Sequence, residues 1–355
     1  MTLRVVHLAS GREWRGGQRQ VWLLARELAR LGLSQVVVTG PRGALAERLR
    51  QDGIPVRSVP WRAGLDPRVL PGLLSELRGP SLVHAHDAHA VALGGVAAAL
   101  ARRPLVATRR VDFHLRRRGY WARAAAVIAI SDAVARVLVE DGISRERIHV
   151  VHSGIAPDEV RRTPRLGIRE RLGIGGNALV AANVAALVGH KDQATLVRSA
   201  GLLRDAFPTL HWVIAGEGPE RASLERLRAG LGLDGRVHLL GHLDEPARLI
   251  AEASCFVMSS RDEGLGTSVL EAMALGIPVA STSAGGLPEM LQDGAGLLVP
   301  PADPAALASA VERLLRDSAL ARDIVMKARQ TVERFTATRM AEAVRSVYRS
   351  LAPFP

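Results

Sequence analysis

The stretch SCFVMSSRDEGLGTSVLEAMALG, residues 254–276, has the three parts of a strand–turn–helix unit that binds a ligand. Its first part, SCFVM, is short and apolar and predicts a buried strand, whereas TSVLEAMALG predicts a helix. Between them, Gly264 and Gly266 let the backbone approach a ligand closely. The free N–H groups and positive dipole at the start of a helix favour an anion, so this turn is predicted to bind a phosphate.

Two glutamates flank this turn, Glu263 before it and Glu271 in the helix. A carboxylate only accepts hydrogen bonds, so beside a phosphate it suits vicinal hydroxyls, such as those of a ribose or a sugar. A site for phosphate and hydroxyls together describes a nucleotide sugar. The alternative is structural: Ser268 and Glu271 fit a capping box, S-x-x-E, and Glu263 would then be an exposed loop charge. For Glu271, the residues alone leave both interpretations open.

On both sides of this strand–turn–helix stretch, short apolar runs alternate with segments of helical length almost to both ends of the chain. This alternation is typical of parallel α/β sheets. The expected fold class is α/β, with two Rossmann-like, doubly wound, parallel-sheet domains facing each other across a cleft. The segment between the halves is rich in Pro, Gly and Arg and predicts a linker. The predicted boundaries are residues 1–160 for an N-terminal acceptor-binding domain, 161–176 for the linker, 177–335 for a C-terminal nucleotide-sugar-binding domain, and 336–355 for a C-terminal helix packing back on the N-terminal domain.

Composition limits the class of protein. With 355 residues, 48% hydrophobic but only 3% aromatic, the chain is long enough for two aliphatic cores. A single cysteine, Cys255, excludes an intramolecular disulfide and a cysteine-rich metal site. The N-terminus does not resemble a secretory leader, and the apolar run AVALGGVAAALA is too short to span a bilayer. These features predict a cytoplasmic protein, with peripheral contact to the inner face of the membrane.

The opening stretch resembles the C-terminal signature of glycosyltransferase family 4, E-G-[FL]-G-x-x-x-x-E-A-M-A-x-G-x-P-V followed by GG-x-x-E, and every fixed position is matched. The resemblance extends over nearly the whole chain, through WRGGQRQ, VIAISDAVARVLVEDGI, IHVVHSGI, HKDQATLVRSA and VIAGEGPE. It implies a GT-B fold and a retaining transferase that moves a sugar from a nucleotide-sugar donor. A UDP-, GDP- or ADP-sugar fits equally well, because base contacts in this fold are largely to the backbone.

Carried over position by position, the resemblance implies that Glu271 accepts hydrogen bonds from the ribose and that Glu263 faces hydroxyls of the transferred sugar. Lys191 matches the lysine that neutralises the diphosphate, and it is one of only two lysines in the chain. Many relatives also carry an arginine five residues before this lysine, where this chain has Ala186. The predicted donor-binding residues are Gly16, Gly17, Lys191, Gly216, His242, Leu243, Glu263, Gly264, Leu265, Gly266, Thr267 and Glu271.

In the N-terminal half, Gly16 and Gly17 lie at a predicted helix entry, where N–H groups can close over the same diphosphate; an ordinary βα turn is the alternative. The segment VHAHDAHA supplies a cluster of histidines, which could suggest a zinc site. Strand alternation and the resemblance both argue against zinc binding by these histidines. We expect no metal and no cofactor, since the nucleotide sugar is a substrate. His86 is predicted to lie at the rim of the acceptor site.

The segment TRRVDFHL departs from the family, because many relatives have a histidine where this chain has Arg110. Arg110, Asp112 and His114 are the candidates to replace that histidine. The predicted catalytic residues are Glu263, Lys191, His86, Arg110 and Asp112. The leaving diphosphate itself would help to take the acceptor's proton, so no enzyme nucleophile is required.

Other classes fit less well. A dehydrogenase needs Gly-x-Gly-x-x-Gly after its first strand, which SGREWRGG does not supply. A phosphorylase-like enzyme needs a lysine for pyridoxal phosphate. A non-catalytic basic protein that binds nucleotides or nucleic acid is the main alternative, but the basic residues are scattered among acidic ones with few aromatics. We therefore expect no nucleic-acid partner.

The charge is uneven along the chain. Residues 1–170 contain 28 Lys and Arg against 15 Asp and Glu, whereas residues 171–355 contain 19 against 20. The segment FHLRRRGYWARA adds Tyr120 and Trp121 to four arginines, a mixture suited to an anionic membrane interface. The N-terminal half is therefore predicted to dock on anionic lipid or on an anionic, lipid-linked acceptor.

Overall fold

The computed structural model describes residues 3–41, 43–62 and 64–351, and it divides into two compact units. Unit 1 comprises the described residues up to Gly154 together with those from Thr336, and unit 2 comprises Ile155–Phe335.

Unit 1 contains a seven-stranded sheet in the order β3-β2-β1-β4-β5-β6-β7, and every neighbouring pair of strands is parallel. Its strands are β1 (Arg4–Leu8), β2 (Ser34–Thr39), β3 (Val56–Ser58), β4 (Ser81–Ala85), β5 (Leu105–Arg109), β6 (Ala126–Ala129) and β7 (Ile148–Val150). Its helices are α1 (Gly16–Arg30), α2 (Ala44–Gln51), α3 (Val69–Glu76), α4 (Ala88–Ala101), α5 (Asp132–Glu140) and, last in the chain, α15 (Ala337–Ser350).

Unit 2 contains a six-stranded sheet in the order β10-β9-β8-β11-β12-β13, again with all pairs parallel. Its strands are β8 (Leu179–Val184), β9 (Leu210–Ala215), β10 (Val237–Gly241), β11 (Cys255–Met258), β12 (Val279–Thr282) and β13 (Leu297–Val299). Its helices are α6 (Pro157–Arg161), α7 (Ile168–Leu172), α8 (Gln193–Leu203), α9 (Arg221–Gly230), α10 (Ala247–Ile250), α11 (Thr267–Leu275), α12 (Leu287–Leu291), α13 (Pro304–Arg316) and α14 (Ser318–Val332).

Burial explains why these segments form central strands. All residues of β4, β6, β11 and β12 are buried, as expected for parallel strands covered by helices on both faces. Cys255 lies in β11, and burial raises the pKa of its thiol to about 12, so it is an inert core residue. No helix among the described residues is long and apolar enough to cross a membrane.

The segment predicted as a linker is part of unit 2. Residues 161–176 are anchored by the buried side chains of Leu166 and Ile168 and by hydrogen bonds from the backbone N–H groups of Gly167 and Ile168 to the Glu252 carboxylate. The apolar residues are too irregularly spaced to give a periodic pattern, which is why the sequence indicated a linker.

The C-terminal helix belongs to unit 1. Tyr348 is 1% exposed, and its hydroxyl contacts His84 Nδ1 at 2.5 Å, while Thr338 hydrogen-bonds Glu27 of α1. Residues 352–355 of the predicted segment 336–355 lie outside the described residues.

Candidate functional site

The candidate donor site of unit 2 lies where the strand order reverses. The chain winds outward from β8 towards β10 on one side and from β11 towards β13 on the other. Ligands of such sheets bind at the carboxyl ends of the two strands at this switch point. The loops after β8 and β11 carry Lys191 and Glu263, so the topology brings these two predicted residues together.

Lys191 and Glu263 form a close ion pair, with 2.6 Å between Lys191 Nζ and Glu263 Oε2. The two side chains are only 16% and 11% exposed, so the contact is much less screened than a surface pair. Ser260 Oγ donates a second hydrogen bond to Glu263 Oε2 at 3.3 Å. Glu263 is therefore a positioned, largely buried carboxylate and not the exposed loop charge of the structural alternative.

Backbone and side-chain hydrogen bonds tie the two loops to each other. The N–H of Arg261 donates to the carbonyl of His190, and Ser259 Oγ donates to the carbonyl of Lys191. Arg261 Nε also donates to Asp192, the residue that caps α8. These contacts fix the backbone on both sides of the ion pair. Their donors are polar residues directly after the buried strand β11, a signal that the sequence analysis did not use.

Helix α11 begins directly after the glycine turn. Gly266 is its N-cap residue, with φ +92°, and a side chain there would also meet Leu287. No side chain caps this end, so backbone N–H groups at the helix start remain available for an anion. Ser268 Oγ instead donates to the carbonyl of Val184. The capping-box interpretation is therefore wrong, and Glu271, which is 1% exposed, lies one turn further into the helix.

The remaining predicted donor residues follow β9 and β10. A Cβ atom on Gly216 would lie 1.9 Å from the carbonyl oxygen of Ala185, so this glycine allows the loop after β9 to pack on the loop after β8. His242 is exposed and forms a 3.2 Å contact with Asp244. Leu243 is half-buried beside it, and both follow the edge strand of the sheet.

Unit 1 has its own switch point, between β1 and β4. Asp87, directly after β4, accepts hydrogen bonds from the N–H and hydroxyl of Ser10 and from the N–H of Ala90. It thereby holds the loop that leads to α1. Gly16 and Gly17 form the first residues of α1, and no side chain caps that helix end.

Three buried histidines lie behind this edge of the sheet, on β1 and at the end of β4. His7 is in register with His84, and His7 Nδ1 lies 2.9 Å from His86 Nε2. His86 is only 4% exposed, so it does not form the rim that was predicted. Burial lowers the pKa of His7 to about 4 against a smaller opposing effect of Gln35, and burial takes the pKa values of His84 and His86 well below the ordinary value. The cluster is therefore neutral at pH 7.

The geometry of this cluster bears on metal binding. One nitrogen from each ring lies within 4.8 Å of the others, which is close enough to share an ion. However, both nitrogens of His84 already have partners, Tyr348 Oη and Thr108 Oγ1, at 2.5 and 2.6 Å. The guanidinium of Arg110 lies 3.5 Å from His86 Nδ1 and would repel a cation. The cluster is better suited to hydrogen bonding than to metal ligation.

Arg110 follows β5 directly, and its side chain lies close to two other predicted residues, His86 and Gly17. Burial lowers the pKa of Arg110 to about 10, with Asp87 acting in the opposite direction, so the guanidinium stays charged at pH 7. Asp112 acts electrostatically on the neighbouring Arg109. His114 pairs with Asp141 at 2.8 Å and is exposed.

The basic segment after β5 differs from its predicted form. Trp121 is only 6% exposed and is not available as an interfacial anchor, and Tyr120 is half-buried with its ring against Gly95 of α4. The exposed apolar side chains nearby are Val111 and Phe113, at 36% and 38%. The arginines at 116–118 and at 123 are exposed.

Two family models match the chain. One, described as glycosyl transferases group 1, matches residues 165–331, and the other, described as glycosyltransferase family 4, matches residues 14–159. Among curated proteins, the putative glycosyltransferase EpsD of Bacillus subtilis is 33% identical over 208 residues, covering 58% of this chain and 52% of that protein. The lipopolysaccharide core biosynthesis glycosyltransferase LpsE of Rhizobium meliloti is 32% identical over 46% of this chain and 47% of its own length. The chain thus spans about half the length of these relatives.

Solved structures match the whole chain. The Anabaena HepE protein, crystallised with UDP and glucose, has a TM-score of 0.87 at 22% identity and covers 98% of this chain and 99% of its own. A glycosyltransferase from Rickettsia africae has a TM-score of 0.86 at 18% identity over both complete chains. The predicted fold class, GT-B with two Rossmann-like parallel-sheet units, is confirmed by these neighbours and by the sheet orders.

Proposed function

Because the chain belongs to glycosyltransferase family 4, we propose that it transfers a sugar from a nucleotide-sugar donor, with retention of configuration, to a cell-envelope glycan or lipid-linked acceptor. The observation that carries this proposal is the largely buried Lys191–Glu263 pair at the switch point of unit 2, since Glu263 lies in the turn that leads to the uncapped start of α11. It offers a cation and N–H groups for a diphosphate and a carboxylate for hydroxyls.

The proposed roles follow from position. Lys191 neutralises the donor diphosphate, and backbone groups from Gly264 to Thr267 hold the distal phosphate. Glu263 accepts hydrogen bonds from the transferred sugar, and the buried Glu271 accepts them from the ribose. Unit 1 receives the acceptor.

UDP is the proposed nucleotide. The proposal is supported by structural neighbours whose crystals contain UDP, UDP with glucose, or UDP-glucose. A thermal-shift panel of UDP-, GDP- and ADP-sugars tests it, because a ligand at a hundred times its dissociation constant adds about 2.7 kcal/mol of stability. Stabilisation by GDP- or ADP-sugars alone would reject UDP, and stabilisation by none would reject the transferase proposal.

The proposed mechanism needs no enzyme nucleophile. The bond between the anomeric carbon and the diphosphate breaks, the acceptor oxygen bonds to that carbon on the same face, and the departing diphosphate takes the acceptor's proton. Catalysis then depends on positioning and on stabilising the leaving group. Proton NMR of the product decides: an anomeric configuration opposite to that of the donor would contradict retention.

Lys191 acts mainly on the transition state in this mechanism, since charge on the diphosphate grows as the bond breaks. Lys191→Ala should therefore lower kcat more than it raises KM. A rise in KM with unchanged kcat would assign the lysine to ground-state binding instead. The mechanism includes no obligatory metal, so treatment with EDTA should leave the activity of the parent protein unchanged.

The proposed acceptor is anionic, and transfer takes place at the cytoplasmic face of the membrane. Two relatives are named for lipopolysaccharide core and amylovoran biosynthesis. Unit 1 contains 27 Lys and Arg against 13 Asp and Glu, whereas unit 2 contains 20 against 22. The exposed Phe113 beside Arg116 and Arg117 supplies the apolar and basic groups that an anionic lipid surface attracts.

Vesicle co-sedimentation tests the membrane part. The full chain should bind anionic vesicles at low salt and release them at high salt, and Arg116→Gln with Arg117→Gln should weaken binding. Equal binding to neutral vesicles, or none at low salt, would reject the membrane and leave a soluble anionic acceptor.

A further inference from the structure

Asp192 follows Lys191 directly and has an uncommon backbone conformation. Its φ is 44° and its ψ is 47°, in the left-handed region that most residues with a side chain avoid. Asp and Asn tolerate this region better than other such residues, because their short polar side chains hydrogen-bond locally. Asp192 is the N-cap residue of α8 and is only 6% exposed, so its conformation sets the path of the chain from the lysine into the helix.

The Asp192 carboxylate contacts both the start of α8 and the loop after β11. Its Oδ2 atom accepts hydrogen bonds from Thr195 Oγ1 and from Arg261 Nε, both at 2.8 Å. Its Oδ1 atom accepts a longer hydrogen bond, at 3.4 Å, from the N–H of Thr195. Thr195 belongs to α8, whereas Arg261 belongs to the loop that carries Glu263. One buried carboxylate therefore joins the segment of Lys191 to the segment of its ion-pair partner.

Two carbonyl groups next to this carboxylate also accept hydrogen bonds from the loop after β11. The carbonyl of Lys191 accepts one from Ser259 Oγ at 3.0 Å, and the carbonyl of His190 accepts one from the N–H of Arg261 at 2.8 Å. Arg261 thus contacts the loop after β8 twice, through its N–H and through its guanidinium. The guanidinium contact is a charge-assisted hydrogen bond to the Asp192 carboxylate, so it is the stronger of the two.

These contacts bear on the ammonium of Lys191, which lies at the end of a flexible four-carbon side chain. The 2.6 Å distance between this ammonium and Glu263 therefore depends on where the backbone holds the two loops. A misplacement of about 1 Å at a reacting centre can cost a hundredfold in rate, even when its cause is remote from the chemistry. The residues that fix the backbone of the lysine thus affect what its ammonium can reach.

We propose that Asp192, paired with Arg261, is a positioning residue that holds the backbone of Lys191 so that its ammonium reaches the donor diphosphate. This proposal rests on the proposed function for the identity of the ligand. Both oxygens of Asp192 are engaged by Thr195 and Arg261, so these contacts persist when a diphosphate draws the ammonium away from Glu263. In this role Asp192 acts through the lysine and not on the reacting atoms.

A double-mutant cycle tests this role without requiring activity. The coupling between Lys191 and Glu263 is obtained from urea unfolding of the parent, Lys191→Ala, Glu263→Gln and the variant with both changes. In an Asp192→Asn background, which tolerates the left-handed conformation but lacks the charge, this coupling should fall to less than about half. In an Asp303→Asn background, which alters the cap of α13 at the N–H of Ala306, it should stay the same.

Unchanged coupling in Asp192→Asn would overturn the proposal and leave Asp192 as a helix cap alone. Should Asp192→Asn not fold, Arg261→Gln removes the other partner of the pair. The side chain of Arg261 is 56% exposed, so this substitution should be tolerated, and the coupling must fall there too or the proposal fails.

Kinetics then connect this positioning to turnover. With UDP-glucose as donor and release of UDP as the measure, Asp192→Asn should lower kcat by about tenfold or more and change KM by less than about twofold. In a Lys191→Ala background the same substitution should lower kcat no further, because Asp192 acts through the lysine. An equal fall in both backgrounds would contradict the proposal. A parent that neither binds nor turns over any nucleotide sugar would reject the proposed function, whereas the coupling would still decide the role of Asp192.

Discussion

Glu263→Gln should raise the affinity of the protein for UDP. In the donor-free protein the Glu263 carboxylate holds the Lys191 ammonium at 2.6 Å, and a diphosphate that draws the lysine away must break this pair. The substitution keeps the size of the side chain and removes its charge. Lys191 is then free to bind the diphosphate without first losing a partner.

The size of the expected effect on UDP binding follows from the burial of the Lys191–Glu263 pair. With 16% and 11% exposure, the pair lies between a surface pair, worth about 0–1 kcal/mol, and a fully buried one, whose disruption costs about 3–5 kcal/mol. We therefore expect removal of the pair to strengthen UDP binding by about 1.4 kcal/mol, which is a tenfold gain in affinity. Without a donor, the free energy of unfolding of Glu263→Gln should be about 2 kcal/mol lower than that of the parent. For a unit of this size, this corresponds to a melting temperature that is about 4–8 °C lower.

Titration calorimetry with UDP and with the full nucleotide sugar provides the assay. UDP should bind more tightly, whereas the sugar donor should gain less, because it loses the hydroxyl contacts of Glu263. Glu312→Gln, which removes the charge of a surface pair with Arg316, is the matched control and should change neither quantity. Weaker or unchanged UDP binding in Glu263→Gln would refute the idea that the pair is exchanged for the diphosphate.

Three further predictions concern single residues. Glu271→Gln should weaken donor binding by about 1.5–3 kcal/mol with little change in the melting temperature, as measured by calorimetry; equal affinity would reject its contact with the ribose. Arg110→Gln should raise the melting temperature of the ligand-free protein by up to about 6–12 °C, since burial lowers the pKa of this arginine from 12.5 to about 10 and its charged form thereby disfavours folding by up to about 3 kcal/mol at pH 7; a fall would indicate a structural role. The free energy of unfolding should decrease as the pH falls from 6.5 towards 4, because burial lowers the pKa of His7 to about 4. In this range the unfolded chain takes up a proton at His7 that the folded chain excludes, which lowers the free energy of unfolding by up to about 3 kcal/mol. Thermal denaturation of parent and His7→Asn across this range checks it, and an equal pH dependence in both would contradict it.

The sheets were largely predictable because parallel strands are continuous apolar runs. Short apolar runs in the sequence mark all six strands of unit 2 and six of the seven strands of unit 1. The missed strand, β3, consists of Val56, Arg57 and Ser58 at a sheet edge, where two of the three side chains are exposed and no apolar run marks it.

The pairing of side chains was harder to predict, because it depends on register and strand order. The sequence marks Lys191 and Glu263 as candidates, but only the order of β8 and β11 makes them neighbours. His7 went unnoticed because its partner, His84, is distant in the sequence and becomes adjacent through the parallel register of β1 and β4. Trp121 was misjudged as an exposed ring, since its burial depends on packing that no local pattern reveals.

The two units share one strand order, but the basic residues at their switch points differ in whether an acid pairs with them. In unit 2 the cation of the site is neutralised by Glu263, so a ligand must replace an existing partner. In unit 1 Asp87, whose charge acts on Arg110, accepts hydrogen bonds from Ser10 and from the start of α4, and the buried histidines are neutral. The arginine therefore keeps its charge in a partly buried position, which opposes folding. From this difference we infer that the positive charge is unfavourable for folding at Arg110 and not at Lys191, so Arg110→Gln should raise the melting temperature of the ligand-free protein, whereas Glu263→Gln should lower it.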